Sequence, residues 1–293
     1  MSKLSLTYPA LYKAASDMSA TSQNLYHRFL ISEYALLFLA AVLSMVTIPS
    51  SLLQSIHALV FIALVVLLLY RYKTKPEQDW YKGRALAESI KTSTWRYCLR
   101  ASPFEDISDV RVRRSEFRNH LREILRANRF IGDRIPPDSA ADDQITISMD
   151  EIRALSLEQR RNFYMEHRIR EQRKWYTDKA GYNKLAAKRW VITCTAIYAG
   201  AIVLLVVRPS VPEWNIWPFE PLIVLASSII GWMQIKKFNE LTSAYTLTAH
   251  EIGIIQGRLV EVNSEDELSE FINEAELAFS REHTQWVARQ NAL

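Results

Sequence analysis

Residues Ala58–Tyr70, which read ALVFIALVVLLLY, contain no polar side chain except the terminal tyrosine. They lie in the second of four apolar runs. A transmembrane helix needs about 20 mainly apolar residues, and each of the four runs reaches that length. We therefore predict an all-α membrane protein with four transmembrane spans. The predicted spans cover approximately residues 29–48, 51–71, 189–208 and 219–238.

The overall composition hides these runs. The chain has 293 residues, of which 49% are hydrophobic, and its mean hydropathy of -0.08 resembles that of an ordinary soluble protein. Because long apolar runs alternate with highly charged segments, the average describes neither. The alternative interpretation is a soluble bundle with very hydrophobic core helices, but the length of the runs argues against it.

Short connections join the runs in pairs. A minimal turn at residues 48–51 joins the first pair. The loop between the second pair, residues 208–218, contains three prolines and two tryptophans. Prolines end helices and tryptophans favour the membrane interface, so this loop is typical of a membrane surface. The sequence therefore predicts two transmembrane helical hairpins.

Lysines and arginines flank both hairpins at the ends away from their loops. These residues are Arg28, Arg71, Lys73, Lys75, Lys188, Arg189, Lys236 and Lys237. The first loop carries no charge. In the second loop Arg208 is balanced by Glu213, and Glu220 follows the loop closely. Because positive residues near the spans stay on the cytoplasmic side, we expect the large soluble parts and both termini in the cytoplasm.

The two halves of the chain repeat one pattern. Asp17 lies eleven residues before Arg28, and Asp178 lies eleven residues before Arg189. In each half an apolar hairpin and a long polar helix follow. We predict a tandem duplication, with a first two-transmembrane unit at 1–135, a linker at 136–149 and a second unit at 150–293. Asp150 is expected to serve as the N-cap of the helix that starts near it.

Several segments near the hairpins resemble a known family. In the first half they are Trp80–Ala85 and Trp95–Tyr97. In the second half they are Leu155–Tyr164, Arg168–Ile169, Gln172–Tyr176 and Ser280–Trp286. Together they resemble the SLATT superfamily, two-transmembrane effector domains associated with bacterial nucleotide-synthase and nucleotide-sensing conflict systems. The chain is similar to a tandem of two such domains.

The resemblance implies a function that spacing and periodicity do not show. Such domains are proposed to disrupt membranes or form pores when a nucleotide signal reports infection. We therefore expect an antiviral, pore-forming effector of bacterial immunity, which crosses the inner membrane several times. Its expected partners are the lipid bilayer, further copies of the chain, and a nucleotide second messenger or a sensor protein. The alternative is a non-pore scaffold or sensor whose cytoplasmic helices recruit a soluble partner.

Four arginines recur at every fourth position, which puts them on one face of a predicted helix. They are Arg114, Arg118, Arg122 and Arg126. Such a row can bind the phosphate of a nucleotide or of a lipid headgroup. It can equally be a solvated face, partly paired with glutamates of its own helix. Pairing elsewhere in the chain is a third interpretation, because the C-terminal segment around Glu265 is acidic.

A few polar residues interrupt the apolar runs. Gln54 and His57 lie one helical turn apart in the second run, and Ser227 and Ser228 lie in the fourth. Polar side chains inside a membrane tend to face partners or water, so these four are candidate pore-lining residues. Ordinary hairpin packing also explains them, because small residues spaced by four, such as Ser227 and Gly231, let helices approach closely.

The sequence contains no pattern that indicates catalysis. Its six histidines are scattered without metal-ligand spacing, and no glycine-rich phosphate loop is present. Cys98 and Cys194 lie far apart, which favours buried, inert thiols over a disulfide or a metal site. We therefore expect no enzyme, no metal, no cofactor and no nucleic-acid partner.

Overall fold

The computed structural model of the chain describes residues 4–46, 50–105, 109–129 and 143–291. Within these residues it contains ten α-helices and no strand, which confirms the all-α prediction. The helices are α1 (Ala10–Ser44), α2 (Ser51–Thr74), α3 (Pro76–Cys98), α4 (Val110–Ala127), α5 (Ile147–Ala154), α6 (Leu157–Tyr164), α7 (Glu171–Val207), α8 (Phe219–Lys236), α9 (Phe238–Leu259) and α10 (Glu265–Asn291). A π-helical turn, Met165–Arg170, joins α6 to α7.

Three helical segments of the described chain are long and apolar enough to cross a membrane. They are Ala10–Ser44, Ser51–Cys98 and Leu157–Ser210, and they cover most of the first predicted span and all of the second and third. The fourth predicted span corresponds to α8, which has 18 residues and carries Glu220 and Lys236 near its ends. Helix α8 is not among the three segments.

Two lysines end the second helix of each hairpin in the same way. Lys75 follows α2 with φ 45° and ψ 52°, and Lys237 follows α8 with φ 50° and ψ 41°, so both are left-handed. Their backbone N–H groups donate to the carbonyls of Arg71 and Met233, each at 2.9 Å. A residue other than glycine in this conformation costs on the order of 1–3 kcal/mol. The two halves of the chain therefore repeat the backbone conformation of this helix end as well as the sequence pattern.

The second hairpin has a longer loop and a shorter second helix than the first. Six residues separate α1 from α2, and eleven separate α7 from α8. In turn, α2 has 24 residues and α8 has 18. These differences nearly cancel, because Lys237 lies 162 residues after Lys75 while Arg189 lies 161 residues after Arg28. The two lysines with left-handed backbone conformation therefore occupy equivalent positions in the two repeats.

The chain forms two compact units, and each draws on both halves of the sequence. The polar unit consists of Met1–Asn24, Pro76–Arg173 and Glu251–Leu293, so far as these residues are described. The apolar unit consists of Leu25–Lys75 and Lys174–His250, and it contains the four predicted spans. Helices α1, α7 and α9 contribute to both. The spatial division therefore cuts across the predicted sequence halves.

The start of α5 differs from the prediction. Residues 136–142 of the predicted linker lie outside the described residues. Helix α5 begins at Ile147, and the side chain of Thr146 caps it by accepting from the N–H of Met149 at 3.4 Å. The expectation that Asp150 is the N-cap is wrong. Asp150 lies in the first turn, where its carboxylate accepts a hydrogen bond from Tyr97 at 3.0 Å.

Helix α3 is the centre of the polar unit. Ile90, Trp95 and Cys98 on α3 are all at most 1% exposed. Cys98 and Cys194 are both buried and free, which confirms the prediction of buried thiols. Burial raises the pKa of the Cys98 thiol well above its ordinary value. This thiol therefore stays protonated and unreactive at physiological pH.

Gly83 brings α3 close to the backbone of α1. A Cβ atom at Gly83 would lie 3.1 Å from the backbone nitrogen of Ser19 and 3.2 Å from the carbonyl oxygen of Ala15. Backbone atoms cannot move aside as the end of a side chain can. A larger side chain at this position therefore forces the two helices apart.

We predict that Gly83→Val lowers the melting temperature of the detergent-purified protein, because overpacking costs about 1–3 kcal/mol. The matched control is Gly257→Val on α9, where a Cβ would meet nothing within 4 Å. That variant should melt close to the wild type. Equal losses in the two variants, measured by differential scanning fluorimetry, would show that close packing at Gly83 is unimportant.

Candidate functional site

Large apolar side chains on α2 and α7 face away from the rest of the chain. On α2, Leu52 is 69% exposed and Leu59 is 62% exposed; on α7, Val206 is 71% exposed. In the segments Ser51–Cys98 and Leu157–Ser210, only 6% of the most apolar stretch of 18 residues is buried inside the protein. Apolar area exposed to water on this scale is rare in a soluble protein. These surfaces therefore require lipid or other apolar partners.

The four candidate pore-lining residues lie on two helices. Gln54 is exposed on α2, and the partly exposed ring of His57 stacks on Phe61 with 5.2 Å between ring centroids. On α8, Ser227 is exposed, while the hydroxyl of Ser228 donates to the carbonyl of Val224 at 2.7 Å. In the described part of the chain, no hydrogen bond or ring contact joins the α2 pair to the α8 pair.

Helix α8 packs against α1 inside the apolar unit. A Cβ atom at Gly231 would lie 2.6 Å from the hydroxyl of Tyr34, so a larger residue there would have to displace the end of this tyrosine side chain. One turn further on, the Nζ atom of Lys236 lies 3.1 Å from Nε2 of His27. The ring of Trp232 lies beside both, with its centroid 4.7 Å from Nζ and 5.6 Å from the imidazole centroid. A helix of the first half therefore meets a helix of the second half here.

A groove of about 280 Å³ runs along α7 where the third predicted span begins. Its lining includes Tyr182, Arg189 and Trp190. Aromatic and basic side chains together are typical of the boundary between lipid and water. The groove is consistent with a membrane surface at this level of α7.

The predicted arginine row lies on α4 as expected, but its first member behaves differently. Arg114 forms an ion pair with Asp150 of α5, and this partner raises the pKa of its guanidinium. Arg118, Arg122 and Arg126 are exposed. The opposite face of α4 carries the fully buried Phe117 and Leu121. Three arginines therefore remain turned outward.

The acidic C-terminal helix pairs with arginines that sequence reasoning did not single out. Arg160 is 0% exposed and forms an ion pair with Glu265 at the start of α10. It also donates to the carbonyl of Leu99 at 2.9 Å. Pairing of the acidic segment within the chain, one of the interpretations left open by the sequence, is therefore present, but outside the arginine row. It involves Arg160 of α6 and Arg168 of the π-helical turn.

Arg168 and Glu276 form a buried centre in the polar unit. The guanidinium donates through Nε to Oε1 at 2.8 Å and through Nη2 to Oε2 at 2.7 Å. The hydroxyl of Tyr164 donates to Oε1 at 2.9 Å, and that of Thr92 donates to Oε2 at 3.1 Å. Glu276 is 0% exposed and Arg168 is 1% exposed. The carboxylate is thus held by four hydrogen bonds in the dry interior.

Two groups of this centre, Arg168 and Tyr164, keep their protonation states at physiological pH. Burial alone would lower the pKa of Arg168, but the adjacent Glu276 carboxylate raises it above its ordinary value. Burial and the same carboxylate raise the pKa of Tyr164 well above its ordinary value, so the phenol remains neutral. The arginine also stacks on the ring of Phe279, with 4.8 Å from Cζ to the ring centroid. The centre is therefore a structural lock, in which Arg168 stays charged and Tyr164 stays neutral.

A π-helical turn follows α6 and contains the second of two buried arginines that lie eight residues apart. In an α-helix, positions seven or eight apart already lie on one face. A turn with i→i+5 hydrogen bonds contains one extra residue, and such turns are frequent at functional sites. Arg168 lies within this turn, Met165–Arg170, and Arg160 lies five residues before it. No sequence pattern announces it, although Arg168 belongs to a segment that resembles the SLATT family.

Uncovered apolar helices joined to a helical polar unit define an integral membrane protein. Comparison with models of known protein families identifies the family within this class. Residues 9–161 match the SMODS and SLOG-associating 2TM effector domain 3, and residues 164–286 match the SMODS and SLOG-associating 2TM effector domain 1. The chain therefore belongs to the SLATT family and contains two SLATT domains in tandem. Neither a curated protein nor a solved structure matches it.

We predict that Arg168→Leu destabilises the protein by about 3–5 kcal/mol, because it leaves the Glu276 carboxylate buried and unpaired. The double variant Arg168→Leu, Glu276→Leu should recover much of that loss, since it removes both charges. The control is Arg258→Ala, which breaks an exposed pair with Glu274 and should cost about 1 kcal/mol or less. Thermal unfolding compares them. Arg168→Leu melting no lower than Arg258→Ala would contradict the lock.

Proposed function

We propose that this chain is a bacterial membrane effector of an anti-phage conflict system, which oligomerises and permeabilises the inner membrane on a nucleotide-type signal. One observation carries the proposal: two 2TM effector domains occur in tandem, and they cover nearly the whole chain. The exposed apolar faces of α2 and α7 support it, because lipid is the natural environment for such surfaces.

The proposed topology has four spans, with both termini in the cytoplasm. The positions of lysine and arginine beside the hairpins support this orientation. Eighteen residues of α8 extend over roughly 27 Å, close to the thickness of a hydrocarbon core of about 30 Å. Glu220 and Lys236 near its ends would then reach the headgroups.

The proposed pore is built from several copies of the chain. Gln54 on α2 and Ser227 on α8 are exposed polar residues within the predicted spans. Each copy supplies too few polar groups to line a water-filled path alone, whereas a ring of copies repeats them around an axis. In this proposal the chain acts through membrane permeability, without catalysis of its own.

A scaffold or sensor without a pore is the second candidate function. The three outward arginines of α4 favour it, because exposed guanidinium groups are suited to recruiting an anionic partner. The two candidates differ in whether the chain conducts ions.

Permeability separates them directly. We predict that induced expression in cells depolarises the inner membrane within minutes of the native trigger, and that the purified chain, in its oligomeric form, releases a trapped fluorescent dye from liposomes of bacterial lipids. The scaffold alternative predicts intact vesicles and normal polarisation. Retention of the dye together with normal polarisation under the native trigger would rule out the pore.

The candidate lining residues have a test of their own. Gln54→Leu with Ser227→Leu should lower single-channel conductance severalfold, because the path loses groups that replace water of hydration. The matched control is Leu59→Ile with Ile62→Leu on α2, which exchanges one exposed apolar side chain for another. Unchanged conductance in the first variant would remove Gln54 and Ser227 from the pore.

A further inference from the structure

Helix α4 presents a positive row to the outside of the polar unit. Arg118, Arg122 and Arg126 recur every four residues and are exposed. The only short contact of the three in the described chain is from Nη1 of Arg122 to Oδ1 of Asn119, at 3.2 Å. The row spans eight residues, or roughly 12 Å of helix. These three residues are called the basic row.

Helix α10 presents a negative row with the same spacing. Asp266, Glu270 and Glu274 are exposed and also recur every four residues. In the described chain Asp266 and Glu270 form no ion pair, and Glu274 meets only the exposed Arg258, at 2.8 Å. Core residues of α10, such as Leu268 and Ile272, lie on the other face of the helix. The three acidic residues are called the acidic row.

The two rows match in charge, number and length. Each has three charges spaced by four residues, so an arginine can oppose a carboxylate at every turn when the helices lie antiparallel or parallel. Each row also carries an exposed leucine beside it. Leu125 is 38% exposed next to the basic row, and Leu277 is 49% exposed next to the acidic row. Joining the rows would cover both leucines.

We propose that the basic row of one copy binds the acidic row of a second copy, which deepens the oligomerisation in the proposed function and rests on it. The two rows are different surfaces of the same protein, so the contact is heterologous and repeats from copy to copy. A bilayer keeps all copies in one orientation, and a repeated contact of this kind closes into a ring where the rotation between neighbouring copies allows it.

Each ion pair of the proposed interface contributes little binding energy, and assembly depends on the copies being confined to one membrane. Exposed ion pairs contribute little individually and are screened by salt. Copies confined to one membrane, however, meet at a high effective concentration, so a modest contact suffices for assembly. The contact therefore predicts assembly that falls as ionic strength rises.

Complementary charge reversal tests the interface. The basic-row variant is Arg118→Glu, Arg122→Glu, Arg126→Glu, and the acidic-row variant is Asp266→Arg, Glu270→Arg, Glu274→Arg. Each variant alone should give at least tenfold less oligomer than the wild type in nanodiscs or mild detergent, measured by native mass spectrometry. An equimolar mixture should regain oligomers, because each reversed row then meets its opposite. The control, Arg118→Lys, Arg122→Lys, Arg126→Lys, keeps the charge and should assemble normally.

A cross-link gives a second measurement that does not depend on charge reversal. Arg122→Cys combined with Glu270→Cys should form a disulfide between copies under mild oxidation. The native Cys98 and Cys194 are buried and stay silent. Arg122→Cys combined with Leu121→Cys places the second thiol on the buried face and should give little of the same product.

The outcomes separate this inference from the proposed function. Normal assembly of either reversed variant overturns the interface, and so does a mixture of the two variants that stays monomeric. If the mixture stays monomeric and the basic-row variant also loses binding to anionic vesicles, the basic row is assigned to lipid headgroups instead. Dye release by a wild type that remains monomeric overturns the interface but keeps the effector function. Repaired assembly without any dye release keeps the interface and removes the pore.

Discussion

The apolar side chains of α2 and α7 impose the constraint on which the rest of the structure depends. Residues such as Leu59 on α2 and Val206 on α7 are more than 60% exposed, so folding of one chain leaves them without cover. In lipid, a backbone must satisfy its own hydrogen bonds, which restricts these segments to helices. Paired helices with short loops follow from that restriction. Each hairpin ends at a lysine in the left-handed backbone conformation, Lys75 or Lys237.

The two SLATT domains are interlocked rather than placed side by side as independent bodies. In the polar unit, Glu276 of the second domain accepts a hydrogen bond from Thr92 of the first domain, besides those from Tyr164 and Arg168. In the apolar unit, Gly231 of the second domain accommodates Tyr34 of the first. Each compact unit therefore needs both domains. A chain cut between residues 161 and 164 would leave the Glu276 carboxylate without Thr92 and α8 without its partner on α1.

Local features of the sequence were sufficient to predict much of this fold. Run length predicted the apolar helices, and the four-residue spacing of arginines predicted the outward face of α4, because both depend on periodicity within one helix. The start of α5 was predicted at Asp150 because aspartate is a good N-cap. Threonine is also a good N-cap, and Thr146 takes that role. Local preference cannot choose between two suitable residues four positions apart.

The buried centre could not be predicted, because its partners are distant in sequence. Arg168 and Glu276 are separated by 108 residues, and a charged residue on a polar helix is normally expected at the surface. The π-helical turn adds a change of phase that no composition signal marks. The same reasoning applies to Arg114, whose partner Asp150 lies 36 residues away. Charge balance offered pairing of the acidic C-terminal segment with central arginines as one of several interpretations, and could not identify Arg160 and Arg168 as the partners.

The side of the membrane on which each segment lies tests the account most directly. Single cysteines at Ser210, between α7 and α8, and at the exposed Asp266 of α10 bracket the fourth span, and the buried native thiols do not interfere. With a membrane-impermeant maleimide, Ser210→Cys should be labelled in intact spheroplasts and Asp266→Cys only after lysis. Labelling of both from the same side would contradict a chain that crosses the membrane four times.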